Sequence, residues 1–280
     1  MRIVEAKRIT EEVRKMAMET ATDLPHDVME KLTSMRRDED SPLAGEILDE
    51  IIRNAKVAKE TKAPMCQDTG MAVLFVTVGQ DVHVEGNLTD AINEGVRQGY
   101  KDGYLRKSVV KDPVLDRVNT GDNTPAVIHY DIVPGDKIGI LFGAKGFGSE
   151  NMSRTAMMKP ADGIEAIKRF VVETVRVAGP NPCPPVVVGV GIGGTLDKAT
   201  EIAKKALFRE LDDRNPNPAY AALEDELIEK INATGVGPQG FGGRTTGLAV
   251  KIATYPTHIA GMPVAVNINC HATRHAYVEI

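Results

Sequence analysis

The chain has 280 residues, of which 42% are hydrophobic and 26% charged, and its net charge is −5. This composition is typical of a globular enzyme of one large or two smaller domains, and the acidic balance excludes a global basic field for nucleic acid. The densely charged N-terminus and apolar runs of under about ten residues argue against a signal peptide and a membrane span, so we expect no membrane partner and a reducing cytoplasm.

Helical periodicity predicts three N-terminal helices. Residues 5–22 and 26–37 form the first two, and Ser41-Pro42 supplies an N-cap and a first helical position for the third. Leu43, Ile47 and Ile51 continue that helix with an apolar stripe. The run MAVLFVTVG, after Cys66, predicts a buried strand.

The rest of the chain alternates between the two kinds of element. Residues 88–104 predict a helix, although three glycines weaken it. The later predicted elements are two strands in AVIHYDIVPGDKIGILFGAKG with a turn at Pro134-Gly135-Asp136, a helix in ADGIEAIKRFVVETVRVAG, a strand in VVVGVGIGG, a helix from Leu196 to Leu211, a break at NPNP, a helix in AALEDELIEKI, and strands in LAVKIATYP and PVAVNIN. This interleaving predicts an α/β (α+β) fold of mixed β-sheets flanked by helices. We expect one domain over residues 1–280, with any division into subdomains left open.

Three cysteines stand far apart, at Cys66, Cys183 and Cys270, each in a turn-like segment beside a predicted strand. An odd number without a CxxC pair argues against a disulfide framework or a zinc ribbon. Three thiolates are one short of the four that complete a [4Fe-4S] cluster, and such a cluster would keep one iron free for substrate. Two alternatives stay open: buried structural thiols, and one catalytic thiol with a histidine partner (His258, His271 or His275).

Several glycine-rich segments suggest anion binding. GVGIGG (189–194) fits G-x-G-x-x-G, but the acidic strand end that holds a ribose is absent about 20 residues later, which argues against a dinucleotide. AKGFGSEN (144–151) carries Lys145, and GPQGFGGRTTG (237–247) carries Arg244. Their backbone N–H groups could bind anions, or the glycines could simply satisfy turns with positive φ. Arg106 is a third cationic candidate.

Five motifs together resemble the class I iron–sulfur hydro-lyases, the oxygen-sensitive fumarase and L-tartrate dehydratase family. They are CQDTG at 66–70, KGFGSEN at 145–151, NPCPP at 181–185, VGIGGT at 190–195 and THIAGMPVAVNINC at 257–270. The resemblance runs from about residue 10 to the end and is to the α subunit of the two-subunit form.

The resemblance implies that Cys66, Cys183 and Cys270 each bind one iron of a [4Fe-4S] cluster whose fourth iron has no protein ligand. The residues implied in substrate binding or catalysis are Gln67, Asp68, Arg106, Gly148 through nearby backbone N–H groups, and His258. Many relatives have glycine where this chain has Phe147.

The implied reaction is the reversible hydration of fumarate to (S)-malate at a site shared with a β subunit. That subunit would supply the general base for the C3 proton, in an assembly of two α and two β subunits, so the chain alone would be inactive. L-Tartrate or mesaconate is the alternative substrate. A non-catalytic carboxylate sensor or electron carrier is the alternative of another class, with His271 as a possible fourth ligand.

Overall fold

The structure is a computed structural model that describes residues 1–280, and the chain forms two compact units. Unit 1 comprises Met1–Pro25, Asn54–Phe147 and Arg274–Ile280, and unit 2 comprises His26–Arg53 and Gly148–Thr273. Both units are therefore discontinuous in sequence. No helix is at once long and apolar enough to cross a membrane.

The regular elements alternate along the chain as the sequence predicts. The strands are β1 (Arg2–Glu5), β2 (Met71–Gly79), β3 (Val82–Glu85), β4 (Val127–Val133), β5 (Ile138–Lys145), β6 (Arg154–Met158), β7 (Val186–Gly193), β8 (Gly247–Tyr255), β9 (Met262–Asn269) and β10 (His275–Glu279). The α-helices are α1 (Ala6–Thr22), α2 (His26–Asp38), α3 (Pro42–Thr61), α4 (Leu88–Asp102), α5 (Phe147–Glu150), α6 (Gly163–Ala178), α7 (Leu196–Ala206) and α8 (Pro218–Asn232). The α/β class is therefore confirmed.

Unit 1 contains a four-stranded sheet in the order β10-β5-β2-β4 and a two-stranded pair of β1 with β3. Strand β2 pairs with β5 in antiparallel and with β4 in parallel orientation, so Leu74 lies between Phe142 and Ile128. The Pro134–Asp136 turn thus joins two strands that lie on opposite sides of β2 and do not pair with each other. A buried core of β2, β5, α1 and α4 side chains holds the unit together.

Close packing of α1 against α4 explains the glycines that weaken the helix prediction. A Cβ on Gly95 would lie 2.7 Å from the Thr10 carbonyl oxygen, and one on Gly99 would lie 2.7 Å from the Ala17 Cβ. Both distances are shorter than van der Waals contact, so only glycine lets the two helix backbones approach this closely. The packing offsets the low helix propensity of glycine.

Unit 2 contains the sheet β6-β9-β7-β8, in which β7 is buried along its whole length. Helix α7 lies against β7. A Cβ on Gly189 or Gly191 would lie 2.0 Å from the carbonyl oxygen of Ala203 or Ala199, respectively. Because helix–sheet packing alone requires these glycines, the G-x-G-x-x-G match needs no bound nucleotide to explain it.

Two kinds of local prediction were wrong. The helix predicted from Leu196 to Leu211 ends at Ala206, because residues 207–209 hydrogen-bond to the carbonyl three positions back instead of four. The four short strands β1, β3, β6 and β10 were missed. Each of these strands is only four or five residues long and includes exposed polar side chains. Such a short segment gives too little alternation of apolar and polar residues to identify a strand.

Candidate functional site

The first cysteine lies in unit 1, in the CQDTG loop between α3 and β2. Cys66 is half-buried and Gln67 is exposed. The buried Tyr100 hydroxyl donates to the Thr69 carbonyl at 3.0 Å, and also to the next carbonyl at 2.8 Å. The Thr69 hydroxyl donates to the Arg106 carbonyl at 3.1 Å. Helix α4 therefore fixes this loop, and the loop fixes the backbone of the exposed Arg106.

Asp68 connects the CQDTG loop to the KGFGS segment within unit 1. Its Oδ1 accepts the Gly70 N–H at 3.0 Å, and its Oδ2 accepts the Phe147 N–H at 2.9 Å. The Phe147 side chain is itself about half exposed. The Asp68 carboxylate therefore already accepts the backbone N–H of Phe147, the residue before Gly148. Each carboxylate oxygen keeps a further lone pair for another donor.

Two fully buried cations lie in the same part of unit 1. Lys145 and Arg274 are each 1% exposed. Lys145 Nζ donates to the Gly146 carbonyl at 3.1 Å. The Arg274 carbonyl accepts the Ala144 N–H at 3.1 Å, which anchors Arg274 where β10 begins to pair with β5. Its side-chain Nε and Nη1 are buried and have no hydrogen-bond partner.

Gly146 lies beside the Asp68 carboxylate and the Arg274 guanidinium. A Cβ on Gly146 would lie 3.3 Å from Asp68 Oδ2 and 3.8 Å from Arg274 Nη2. Burial raises the pKa of the Tyr100 hydroxyl, Arg274 opposes this change and Asp68 adds to it. The phenol therefore stays protonated and remains a donor to the loop carbonyls.

The other two cysteines lie in unit 2, close to each other. Cys183 is exposed, has φ 55° and lies in the turn before β7, while Cys270 directly follows β9. The next residue, His271, contacts the Cys183 carbonyl through its backbone N–H at 3.3 Å and through Nδ1 at 3.0 Å. Since a carbonyl only accepts, this contact places a proton on Nδ1.

A second brace holds the Cys183 turn. The backbone N–H and the side-chain Nε2 of Gln239 both donate to the Pro184 carbonyl at 2.8 Å. Gly148 also belongs here, since a Cβ on it would lie 3.2 Å from the Asn181 carbonyl. Unit 2 therefore brings together Cys183, Cys270 and Gly148.

None of the three cysteines forms a disulfide. No group of three or more His, Cys, Asp or Glu side chains lies close enough together to hold one metal ion. A [4Fe-4S] cluster has a different requirement, since each thiolate binds its own iron. Three reduced thiols in loops beside strands are the right donors for such a cluster.

His258 lies on an exposed loop between β8 and β9. Its Nδ1 accepts the Ala260 N–H at 3.2 Å, and its carbonyl accepts the Gly261 N–H at 2.9 Å. Because Nδ1 acts as an acceptor, a neutral ring carries its proton on Nε2. Nε2 is then a hydrogen-bond donor.

The second glycine-rich loop, at 237–247, already binds a carboxylate of the chain itself. Glu39, 8% exposed, accepts through Oε2 from the N–H of Arg244 at 2.9 Å and from the N–H and hydroxyl of Thr245 at 3.0 and 2.9 Å. Its Oε1 accepts the Ser41 N–H at 3.1 Å. The exposed Arg244 guanidinium lies 3.4 Å from Asp40. The anion that this loop of unit 2 binds is therefore the Glu39 side chain of the same chain.

Sequence reasoning missed Glu39, Tyr100 and Arg274. Glu39 precedes a predicted N-cap, and Tyr100 lies in a predicted helix, so both have ordinary local explanations. Arg274 lies four residues after Cys270, in CHATRH, with no pattern that marks it as buried. Only long-range packing identifies all three.

Comparison with known proteins gives a consistent result. Residues 10–279 match the fumarate hydratase (Fumerase) family. The putative L(+)-tartrate dehydratase subunit alpha of Methanocaldococcus jannaschii is 41% identical over 278 residues, which cover 98% of each chain. The L(+)-tartrate dehydratase subunit alpha of Escherichia coli K12 is 33% identical over 271 residues, 95% of this chain and 89% of the relative. The chain therefore belongs to the fumarate hydratase family, a family of hydro-lyases.

Proposed function

We propose that the chain is the α subunit of an oxygen-sensitive [4Fe-4S] hydro-lyase that acts on a small dicarboxylate. The match to the fumarate hydratase family over residues 10–279 carries this proposal. The first candidate reaction is the reversible hydration of fumarate to (S)-malate. Dehydration of L-tartrate is a second candidate, because the relatives described above are named for that reaction. Mesaconate hydration stays an alternative of the same class.

In this proposal Cys66, Cys183 and Cys270 each hold one iron of the cluster. Their freedom from disulfides and their positions in braced loops support this assignment. When bound, the cluster would supply a Lewis acid for substrate oxygens. Three thiols free of disulfides, together with an oxygen-sensitive cofactor, favour a reducing cytoplasm.

The substrate-binding roles follow from the chemistry of the remaining residues. Arg106 would bind a substrate carboxylate, whose geometry matches the guanidinium donors. Gln67 and Asp68 would contact the substrate next to the first cysteine, with Asp68 oriented by the Gly70 and Phe147 N–H groups. His258 would donate from Nε2, and backbone N–H groups near Gly148 would complete the anion pocket.

Hydration of fumarate also requires a base for the C3 proton. Asp68 uses one lone pair on each oxygen for backbone donors, which favours orientation of the substrate over proton abstraction. We therefore place the base on a β subunit, in an assembly of two α and two β subunits. The name "subunit alpha" of the relatives supports a partner of this kind.

Anaerobic reconstitution with iron and sulfide tests the cofactor. The wild-type chain should bind a [4Fe-4S] cluster, detected by its absorption and by electron paramagnetic resonance after reduction. Cys66→Ala, Cys183→Ala and Cys270→Ala should each lose it, while Val177→Ala, a truncation at an exposed helical position, should not. Normal cluster content in any of the three cysteine variants would overturn the ligand assignment.

Assays with and without the β partner test the activity. We expect hydration of fumarate only in the mixture, and rapid turnover by this chain alone would contradict the split site. Comparing kcat/KM for malate, L-tartrate and mesaconate ranks the candidates, because one hydroxyl or methyl changes discrimination by about 1–3 kcal/mol. Arg106→Ala should raise KM, with Arg244→Ala as the matched exposed control. If the reconstituted complex converts none of these substrates, the remaining interpretation is a carboxylate sensor or electron carrier.

A further inference from the structure

The guanidinium of Arg274 is the buried charge whose environment the fold leaves incomplete. It is 1% exposed, and Nε and Nη1 have no hydrogen-bond partner. Arginine stays protonated in proteins, so it cannot avoid the cost of burial by losing its charge. A buried guanidinium that leaves two donors without an acceptor is unfavourable, which points to a further acceptor in the working protein.

Other buried charges of the chain have such partners. Glu39 accepts hydrogen bonds from four donor groups of residues 41, 244 and 245. Glu224 accepts from Arg209 Nη1 at 3.1 Å and lies, with that arginine, within unit 2. Lys251 Nζ donates to the Asp213 carbonyl. The incomplete pairing at Arg274 is therefore an exception to how this chain treats buried ions.

The neighbouring Asp68 carboxylate accepts no hydrogen bond from Arg274 Nε or Nη1. Asp68 Oδ1 and Oδ2 bind the N–H groups of Gly70 and Phe147. Arg274 Nε and Nη1 receive no acceptor from it. Lys145, with its Nζ on the Gly146 carbonyl, adds a second buried positive charge at the same glycine. Gly146 thus lies next to Asp68 and to an arginine with two donors that lack an acceptor.

The missing partner can be described by its chemistry. Guanidinium N–H groups only donate, so the partner must be an acceptor. The positive charge favours an anionic acceptor, and charge-assisted hydrogen bonds to carboxylate oxygens are among the strong ones. Because Gly146 has no Cβ, no side-chain atom of this residue occupies the position that lies 3.3 Å from Asp68 Oδ2 and 3.8 Å from Arg274 Nη2.

We propose that Arg274 is a further specificity-determining residue, which binds a carboxylate of the dicarboxylate ligand from within unit 1. This inference rests on the proposed function for the identity of the ligand. Nε and Nη1 are closed to solvent, so this proposal requires a local rearrangement on binding, for which we expect the neighbouring Gly146–Phe147 segment to shift. The Phe147 N–H bond to Asp68 then has to break or be replaced by a bond to the ligand.

Thermal unfolding of the anaerobically reconstituted complex separates a binding role from a structural one. Without ligand, Arg274→Met should melt at or above the wild-type temperature, since an apolar side chain of similar length replaces a buried ion that has two donors without acceptors. Arg209→Met is the matched control. It should melt lower, because it leaves the buried Glu224 without its charged partner.

Addition of L-tartrate, (S)-malate or fumarate should raise the melting temperature of the wild type and of Arg209→Met, but not of Arg274→Met. Arg274→Lys should recover part of this increase, because it keeps the charge without the planar donor set. Sodium chloride at equal ionic strength should have no effect. Hydrogen exchange of the 144–151 peptide should slow on ligand addition in the wild type and stay unchanged in Arg274→Met.

Kinetics give an independent test in the active complex. Arg274→Met should raise KM by about 10- to 100-fold, as expected for a lost hydrogen bond to a charged group, at equal cluster content. Three results would overturn the proposal: a fall in ligand-free melting as large as that of Arg209→Met, an unchanged ligand-induced increase, or a loss of cluster. The absence of any increase in the wild type would overturn it as well. If a ligand raises the melting temperature but no substrate turns over, the hydro-lyase proposal fails and the binding role of Arg274 stands.

Discussion

Two glycine-rich segments of this chain look alike in sequence but differ in how their charges are paired. The 237–247 loop of unit 2 surrounds the Glu39 carboxylate, and its hydrogen bonds are made within the chain. The segment at Gly146 in unit 1 lies beside Asp68 and Arg274, and the guanidinium keeps unused donors. Glycine-rich composition therefore does not distinguish a structural loop from a binding loop. What differs between the two segments is the pairing of the nearby charges.

Asp68→Asn should have the largest effect on the Gly146 region. Asparagine keeps one oxygen acceptor, so one of the two backbone hydrogen bonds from Gly70 and Phe147 is lost together with the charge at the site. We expect kcat/KM of the assembled enzyme to fall by at least about 100-fold, or roughly 3 kcal/mol of transition-state stabilisation. Asp40→Asn, at an exposed carboxylate of unit 2, is the control. Activity within threefold of wild type for Asp68→Asn would remove this residue from the site.

Glu39→Gln should affect stability instead. The glutamine nitrogen would face backbone donors of the 237–247 loop, leaving buried N–H groups without acceptors. We expect the free energy of unfolding to fall by about 2–3 kcal/mol, measured by urea denaturation. The kinetic constants of the folded fraction should not change. A large change in KM at wild-type stability would place a substrate at this loop and reverse the comparison.

Tyr100→Phe tests the support beneath the CQDTG loop. It removes the hydroxyl that donates to the Thr69 and Gly70 carbonyls, and we expect a loss of about 1–2 kcal/mol of stability. Burial raises the pKa of this phenol above its usual value. The unfolded chain therefore loses the proton first, and wild-type stability should decline as pH rises above about 10. Melting curves should be recorded for both proteins from about pH 8 to 11. The decline of stability above about pH 10 should be smaller in the phenylalanine variant than in the wild type.

Arg244→Ala should have the smallest effect. Its guanidinium is largely exposed and forms a 3.4 Å ion pair with an equally exposed Asp40. Pairs of this kind contribute less than about 1 kcal/mol. We expect unchanged kinetics and almost unchanged melting. A tenfold rise in KM would show that this arginine, and not its backbone N–H, is the functional group of the loop.

The fold and the site differ in how far local sequence predicts them. Helix and strand periodicity identified most elements, because each buries one face or both faces of a regular element. The pairing of β4 with β2, across a turn typical of a hairpin, was not predictable from the turn itself. The largely apolar and buried β2 lies between the two strands and pairs with both.

For the site, the cysteines and their flanking motifs were visible in the sequence because loop chemistry is local. The link from Asp68 to Phe147 joins residues 79 positions apart, and no local pattern predicts it. The same holds for the burial of Arg274, whose neighbours come from the CQDTG loop, α4 and the Gly146 segment.

The sequence by itself determined the family, the order of the helices and strands, and the three thiols in loops beside strands. It did not determine which glycine-rich loop already has its anion. Glu39 and Arg244 are separated by 205 residues, and Asp68 and Arg274 come from different sequence segments of unit 1. Only tertiary structure decides such pairings, because the cost of burying a charge depends on which distant groups the fold brings to it.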